Sequence, residues 1–198
     1  DAITHLETLR ERPVWQPIPE EIEARFDAAA PHDPAGAEAA YDEFKAERFN
    51  RELWQQLAQA GLLGVALEES HGGMGFGFTE LALFIEEVGR SIAPVPAIAH
   101  SVSAALAIQR FGSEAMKEAV LPLAAAGELL LTAALSEQLN EAPADPLAVT
   151  AVTDGADLVL SGTKTAVPFA AHAQRILLAA RAEAGVAVVL LDPAAAGV

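Results

Sequence analysis

The sequence predicts an α+β fold in which an N-terminal helical domain leads into an incomplete antiparallel β-domain. Three observations carry this reading. Apolar residues recur at helical spacing from residue 50 to about residue 128 and then give way to short continuous runs of strand length. Helices and strands are segregated along the chain and do not alternate as βαβ units. The last apolar run ends near Gly197-Val198 with nothing after it to cover its inner face, so the sheet reads as unfinished.

Residues 1–47 form an arm and linker. A short helical stretch stops at Arg12-Pro13, and Pro13, Pro17 and Pro19 impose extended backbone. Ile22 and Phe26, four apart, share one face of a brief helix, and the Ala-, Pro- and Asp-rich stretch 28–40 is a linker. The helical domain spans 48–128. Asn50 is an N-cap for a helix that gathers Leu53, Trp54, Leu57 and Ala60 on one side and stops at Gly61. With Gly72, Gly73, Gly75 and Gly77 so close together, residues 64–77 cannot form a regular element. Thr79 then caps a helix with Leu81, Phe84, Ile85 and Val88 at helical spacing, ending at Gly89. A further helix covers 95–110 with Gly112 as its stop, and Ser113 caps another that closes near Gly127.

The β-domain spans 129–198. The unbroken apolar run 129–135 suits a buried strand. Residues 149–153 and 158–160 flank Asp154-Gly155 as a β-hairpin, and 175–180 and 186–191 are two more strands around Glu183-Ala184-Gly185.

Composition narrows the function classes. Apolar residues make up 52% and charged residues 20%, the balance of a packed chain rather than a disordered one. Twelve basic residues against 28 acidic give a formal charge of −16, which argues against a nucleic-acid surface. The chain has no cysteine, so disulfides, thiolate metal sites and cysteine nucleophiles are excluded. No run approaches the roughly 20 apolar residues of a membrane span. The first residues, with His5, Glu7, Arg10 and Glu11, hold no signal-peptide core, so a cytoplasmic location is expected.

Few residues stand out as chemical groups. The five histidines, at 5, 32, 71, 100 and 172, include no i, i+4 pair, so no metal site is expected, and His100 reads as a satisfied or partly exposed side chain. The Gly72-Gly73-Met74-Gly75 loop lacks both the preceding strand and the following Lys-Ser/Thr of a P-loop and reads as a structural connection. Glu86 and Glu87 point about 100° apart on a helix, so they cannot share one proton. Ser136 lacks a Gly-x-Ser-x-Gly elbow and suits a hydrogen bond better than nucleophilic attack. Lys164 reads as a surface residue of the hairpin.

Several motifs carry a resemblance. The run 53–64 (LWQQLAQAGLLG) is followed by Glu68-Glu69-Ser70-His71-Gly72-Gly73-Met74-Gly75 and then by Glu86-Glu87-Val88-Gly89-Arg90. Arg110-Phe111-Gly112-Ser113-Glu114 and the run 121–128 (LPLAAAGE) complete the series. In this order, and ending at a helix-to-strand change, they resemble the acyl-CoA dehydrogenase family over about residues 48–198. The resemblance implies FAD as cofactor, an acyl-CoA thioester as substrate, oxidation to the 2,3-enoyl form and an electron-transferring flavoprotein as partner. It also implies a homo- or hetero-oligomer, with the catalytic base in a helical bundle beyond Val198, so no catalytic residue is assigned here.

Two flavin landmarks of that family have counterparts. Leu135-Ser136-Glu137 stands where the family has Leu-Thr-Glu, but Gln138 replaces its proline and the Gly-Ala-Gly-Ser portion is absent. Gly162 and Lys164 match the Gly-x-Lys-x-Trp-Ile-Thr strand, but Ala166 stands for the Trp and Pro168 for the Thr. The resemblance therefore implies Leu135, Ser136 and Val167 as flavin contacts. The departures are similar to those of degenerate subunits in heteromeric members, so a non-catalytic partner subunit is an alternative, and a fused assembly scaffold is another. Separately, residues 10–19 (RERPVWQPIP) with Tyr41-Asp42-Glu43-Phe44 resemble the N-terminal arm of pyridoxal-phosphate-dependent amino-acid decarboxylases.

Overall fold

The computed structural model describes residues 49–138, 140, 148–155, 157–195 and 197–198. The arm at 1–47, with its decarboxylase-like motif, lies outside the described residues.

Helix α1 (Arg51–Gln59) begins as the sequence predicts: the Asn50 side chain accepts a hydrogen bond from the Leu53 N–H at 2.9 Å. It buries Leu53, Trp54 and Leu57, and Gly61 ends the segment with φ +76°. Helix α2 (Phe78–Arg90) buries Leu81 and Phe84. Its N-cap is Gly77 and not Thr79, because the Glu80 carboxylate reaches back to the Gly77 N–H at 2.9 Å. The segment expected as one regular helix over 95–110 is a π-helix (Ile98–Ala105) that runs into α3 (Leu106–Phe111). The wider coil lets the neighbours His100 and Ser101 both face the interior. Helix α4 (Glu114–Ala125) is capped by Ser113, whose hydroxyl accepts from the Met116 N–H at 3.3 Å.

The chain then enters a five-stranded sheet of β1 (Leu131–Ala134), β2 (Thr150–Asp154), β3 (Asp157–Ser161), β4 (Arg175–Ala182) and β5 (Gly185–Leu191). The antiparallel sheet expected from sequence is in fact mixed. The β2–β3 and β4–β5 hairpins are antiparallel as expected, whereas β1 lies parallel to β4 and β2 meets β4 in parallel at Thr150–Arg181. Short hairpin loops dictate antiparallel neighbours, but nothing in a local pattern fixes how separate hairpins pair. Because β5 occupies one edge of β4 along its length, β1 and the start of β2 share the other.

Alternate residues of β1 and β4 enter two cores. Leu130, Ala134, Ile176, Leu178 and Ala180 pack with α1 and α2 residues such as Trp54, Leu57 and Phe84. Leu131, Ala133 and Leu177 pack against Ile108, Leu121, Ala124 and Ala125 of α3 and α4. Both faces of β1 are therefore covered, which explains its continuous apolar sequence.

The glycine-rich loop is structural. Its amides are spent internally, from Gly72 N–H to Glu69 O, Gly73 N–H to Glu68 O, Met74 N–H to Gly64 O and Gly75 N–H to Leu67 O, so none is left to cradle a phosphate. A Cβ on Gly73 would stand 2.1 Å from the Leu67 carbonyl oxygen, whereas one on Gly89 would meet nothing within 4 Å. Gly73→Ala is expected to destabilise the protein by about 2 kcal/mol or more through forced backbone movement. Gly89→Ala, near the end of α2, is expected to be neutral or to stabilise by up to about 1 kcal/mol. Thermal melts of the two variants check this, and equal destabilisation would contradict the close approach.

Candidate functional site

The site lies where the chain leaves β1. Past Ala134, Leu135 and Ser136 face outward, with Leu135 44% exposed, while Glu137 turns inward and is only 5% exposed. Alongside runs the segment 162–168: the Thr165 N–H donates to the Ser136 carbonyl at 2.9 Å in an isolated antiparallel bridge. Two stretches noted separately in the sequence are thus brought side by side.

Beneath this seam sits an ion pair that the sequence did not reveal. Lys164 is buried, not a surface residue of the hairpin: its Nζ lies 2.8 Å from Glu137 Oε1, and the two side chains are 7% and 1% exposed. A lone ammonium would not be stable there, and the carboxylate 27 residues earlier is what admits it. The same carboxylate accepts from the Ala148 N–H at 2.8 Å, the Val149 N–H at 3.3 Å and the Asn140 side chain at 3.4 Å. A lysine among small residues at 161–166 was the available signal, but its pairing with Glu137 is a long-range fact.

Val167 is half-buried and packs against the larger core, so it stands apart in character from exposed Leu135 and Ser136. Ala166 takes the left-handed conformation, with φ 51°, as does Phe169 with φ 52°. The Pro168 carbonyl is taken by the Thr132 hydroxyl at 2.7 Å. The Leu135–Ser136 edge is left exposed. The residues alongside it supply no aromatic plane at 166 and no hydroxyl at 168.

His100 positions the strand that leads here. It is fully buried: Nδ1 accepts from the Leu131 N–H at 3.1 Å, which leaves the Nε2–H to donate to Ala124 O at 3.2 Å. Trp54 packs edge-on to the imidazole at 4.8 Å between centroids and donates its indole N–H to Gly127 O. Two glutamines reinforce the frame. Gln174 accepts from the Leu130 N–H and donates to Glu128 O, and Gln109 accepts from the Glu68 N–H and donates to Ala66 O.

Glu86 and Glu87 do not form an acid–base pair. Arg90 engages both, at 2.6 Å and 3.1 Å, from the same helix. Among the described residues no group of three or more His, Asp or Glu gathers to hold a metal ion.

A helical layer packed onto a small mixed sheet defines the class: a helix-then-sheet module. The acyl-CoA dehydrogenase N-terminal domain family matches residues 21–128, more than half of the chain, and the protein belongs to the acyl-CoA dehydrogenase family. Acyl-CoA dehydrogenase FadE27 of Mycobacterium tuberculosis is 37% identical over 152 residues, which is 77% of this chain and 39% of that one. The (2S)-methylsuccinyl-CoA dehydrogenase of Cereibacter sphaeroides is 33% identical over 67% of this chain and 24% of its own length. Among solved structures, a variant of the Tcur3481-Tcur3483 steroid ACAD superposes with TM-score 0.72 at 34% identity, covering 100% of this chain and 50% of that chain. The ChsE4-ChsE5 complex of M. tuberculosis gives TM-score 0.70 at 34% identity over 78% of this chain and 43% of that chain. An acyl-CoA dehydrogenase complexed with FAD from Bacillus anthracis shares the fold at TM-score 0.73 and 23% identity, covering 99% of this chain and 31% of that chain. The chain thus spans half or less of the length of these relatives.

Burial lowers the His100 pKa from 6.5 to about 4, outweighing the opposing pull of the Ala124 carbonyl. The folded state therefore favours the neutral ring, and the unfolded chain binds more protons between these values. Stability is expected to be full above pH 6.5 and to decline as the pH falls toward about 4, by about 3 kcal/mol from this group. In His100→Leu this component of the pH dependence disappears, but stability at pH 7.5 falls by about 2 kcal/mol or more because the Leu131 N–H and Ala124 O lose their partner. Denaturant titrations across the pH range measure both effects.

Proposed function

We propose that this chain is the front portion of an FAD-dependent acyl-CoA dehydrogenase, with an arm at 1–47, a helical domain at 48–128 and part of the central β-domain at 129–198. The single observation that carries the reading is the seam at Leu135–Ser136, on which the segment 162–168 lies, at the end of a helical layer that matches this family. Bound there, FAD would supply the hydride acceptor for oxidation of an acyl-CoA thioester to its 2,3-enoyl form, with an electron-transferring flavoprotein downstream.

In this reading the Ser136 hydroxyl bonds a polar edge of the ring, and Leu135 keeps water from its face. Val167 contributes third, from a half-buried position. The proton at the substrate α-carbon is removed by a carboxylate outside this chain. A cytoplasmic location belongs to the same reading; among the described residues no helix is long and apolar enough to cross a membrane.

The module needs a partner surface. Val152, Leu158 and Val159 on β2 and β3, and Val186 and Val188 on β5, are exposed. Further polypeptide of the same protein, or another subunit in a homo- or hetero-oligomer, would cover them. A second reading, a non-catalytic subunit of a heteromeric dehydrogenase, is favoured by Ala166 and Pro168, which remove the aromatic plane and the hydroxyl that the family places there.

Full-length protein is expected to purify yellow, with visible flavin absorbance that bleaches anaerobically on addition of an acyl-CoA. A colourless full-length protein supports the partner-subunit reading instead. Ser136→Ala is expected to weaken FAD binding by about three- to tenfold without changing the melting temperature of the apoprotein; unchanged affinity would remove Ser136 from the site.

A further inference from the structure

We propose that the buried Glu137–Lys164 pair is a positioning latch: it fixes the exposed Leu135–Ser136 edge against the segment 162–168 in the register that receives the cofactor. The inference rests on the dehydrogenase reading and names residues that touch no ligand themselves.

Three features of the pair fit it for this role. The first is connectivity. One carboxylate joins three pieces of chain: its own segment, the entry to β2 through the Ala148 and Val149 N–H groups, and the hairpin exit through Lys164. The second is how slight the backbone pairing is. Among the described residues, 135–137 and 162–168 pair through an isolated bridge, Ser136 to Thr165, with no ladder on either side to keep its register, and the Thr132 hydroxyl on Pro168 O is a tie one step back in β1. A single bridge is easily lost to local opening, so a buried charge-assisted contact beside it governs whether it stays closed. The third is direction. Glu137 points in while Leu135 and Ser136 next to it are exposed, so anchoring the former orients the latter without occupying the seam.

The pair is also asymmetric. Glu137 receives two backbone N–H donors in addition to the ammonium, so a lysine at 137 would face donors and could not replace it. Exchanging the two charges is therefore not a rescue. A neutral pair comes closer: in Glu137→Gln/Lys164→Met the amide oxygen can keep the Ala148 N–H, the Val149 N–H loses its acceptor to the amide nitrogen, and no uncompensated charge remains.

The test uses the full-length protein and three variants, Lys164→Met, Glu137→Gln/Lys164→Met and the charge exchange Glu137→Lys/Lys164→Glu. Amide hydrogen exchange at Thr165 reads the latch without any cofactor. FAD dissociation constants, measured by flavin fluorescence, read its consequence, and melting temperatures read general stability. In Lys164→Met the Thr165 amide is expected to exchange about tenfold faster or more while that of Leu178 in β4 is unchanged, and the FAD dissociation constant is expected to rise by about tenfold. The neutral double variant should recover part of both effects, and the charge exchange neither. Unchanged Thr165 protection overturns the latch. So does faster exchange with unaltered FAD affinity, or a loss of FAD affinity that the neutral double variant fails to recover, since both are what a purely structural pair would give. Wild-type protein that takes up no FAD is a separate outcome: it overturns the dehydrogenase reading and the cofactor role of the latch together.

Discussion

A neutral imidazole with both nitrogens committed holds the helical layer to the sheet. His100 accepts from the first residue of β1 and donates to the last turn of α4, so it sets where the chain turns from helix to strand. Trp54 closes the same junction from α1, through its ring against the imidazole and its indole N–H on Gly127 O. Because all of these groups are desolvated, each must stay paired, and the direction in which β1 sets out is fixed before the seam begins. The Gln174 amide, spanning Leu130 and Glu128, then ties the approach to β1 to that of β4.

The Leu135–Ser136 edge is built on the opposite principle. Its outward residues are exposed and its backbone pairing is slight, and what order it has comes from a charged pair below the surface. A rigid apolar frame thus ends in a short, lightly held margin. Local opening is therefore inexpensive there and prohibitive a few residues upstream.

Local chemistry was legible in the sequence. Asn50 and Ser113 cap the helices they were expected to cap, Gly61 stops α1, Gly155 turns the β2–β3 hairpin, and the amphipathic residues of α1 and α2 face inward. These depend on neighbours within a turn or two. What escaped depends on distant partners or on competition between equally good local choices. Thr79 is an acceptable cap, but Glu80 bonds Gly77 and moves the start two residues back. Helical periodicity does not distinguish the π-coil at Ile98–Ala105 from an ordinary helix over so short a stretch. The parallel pairings of β4 with β1 and β2 leave no trace in either strand, and Lys164 reads as solvated until Glu137 is found beside it. Leu135 and Ser136, singled out by motif resemblance, are exposed, whereas Val167, singled out in the same way, is turned partly into the core.

The shared edge of β4 has an evolutionary corollary. β1 and β2 both lie parallel to β4 on that edge, so neither takes its register from a hairpin to the other. Each strand's register is set by β4 alone, and a change of length in the chain between them need not shift either one against it. Variation among relatives can collect there while the strands on both sides are inherited unchanged.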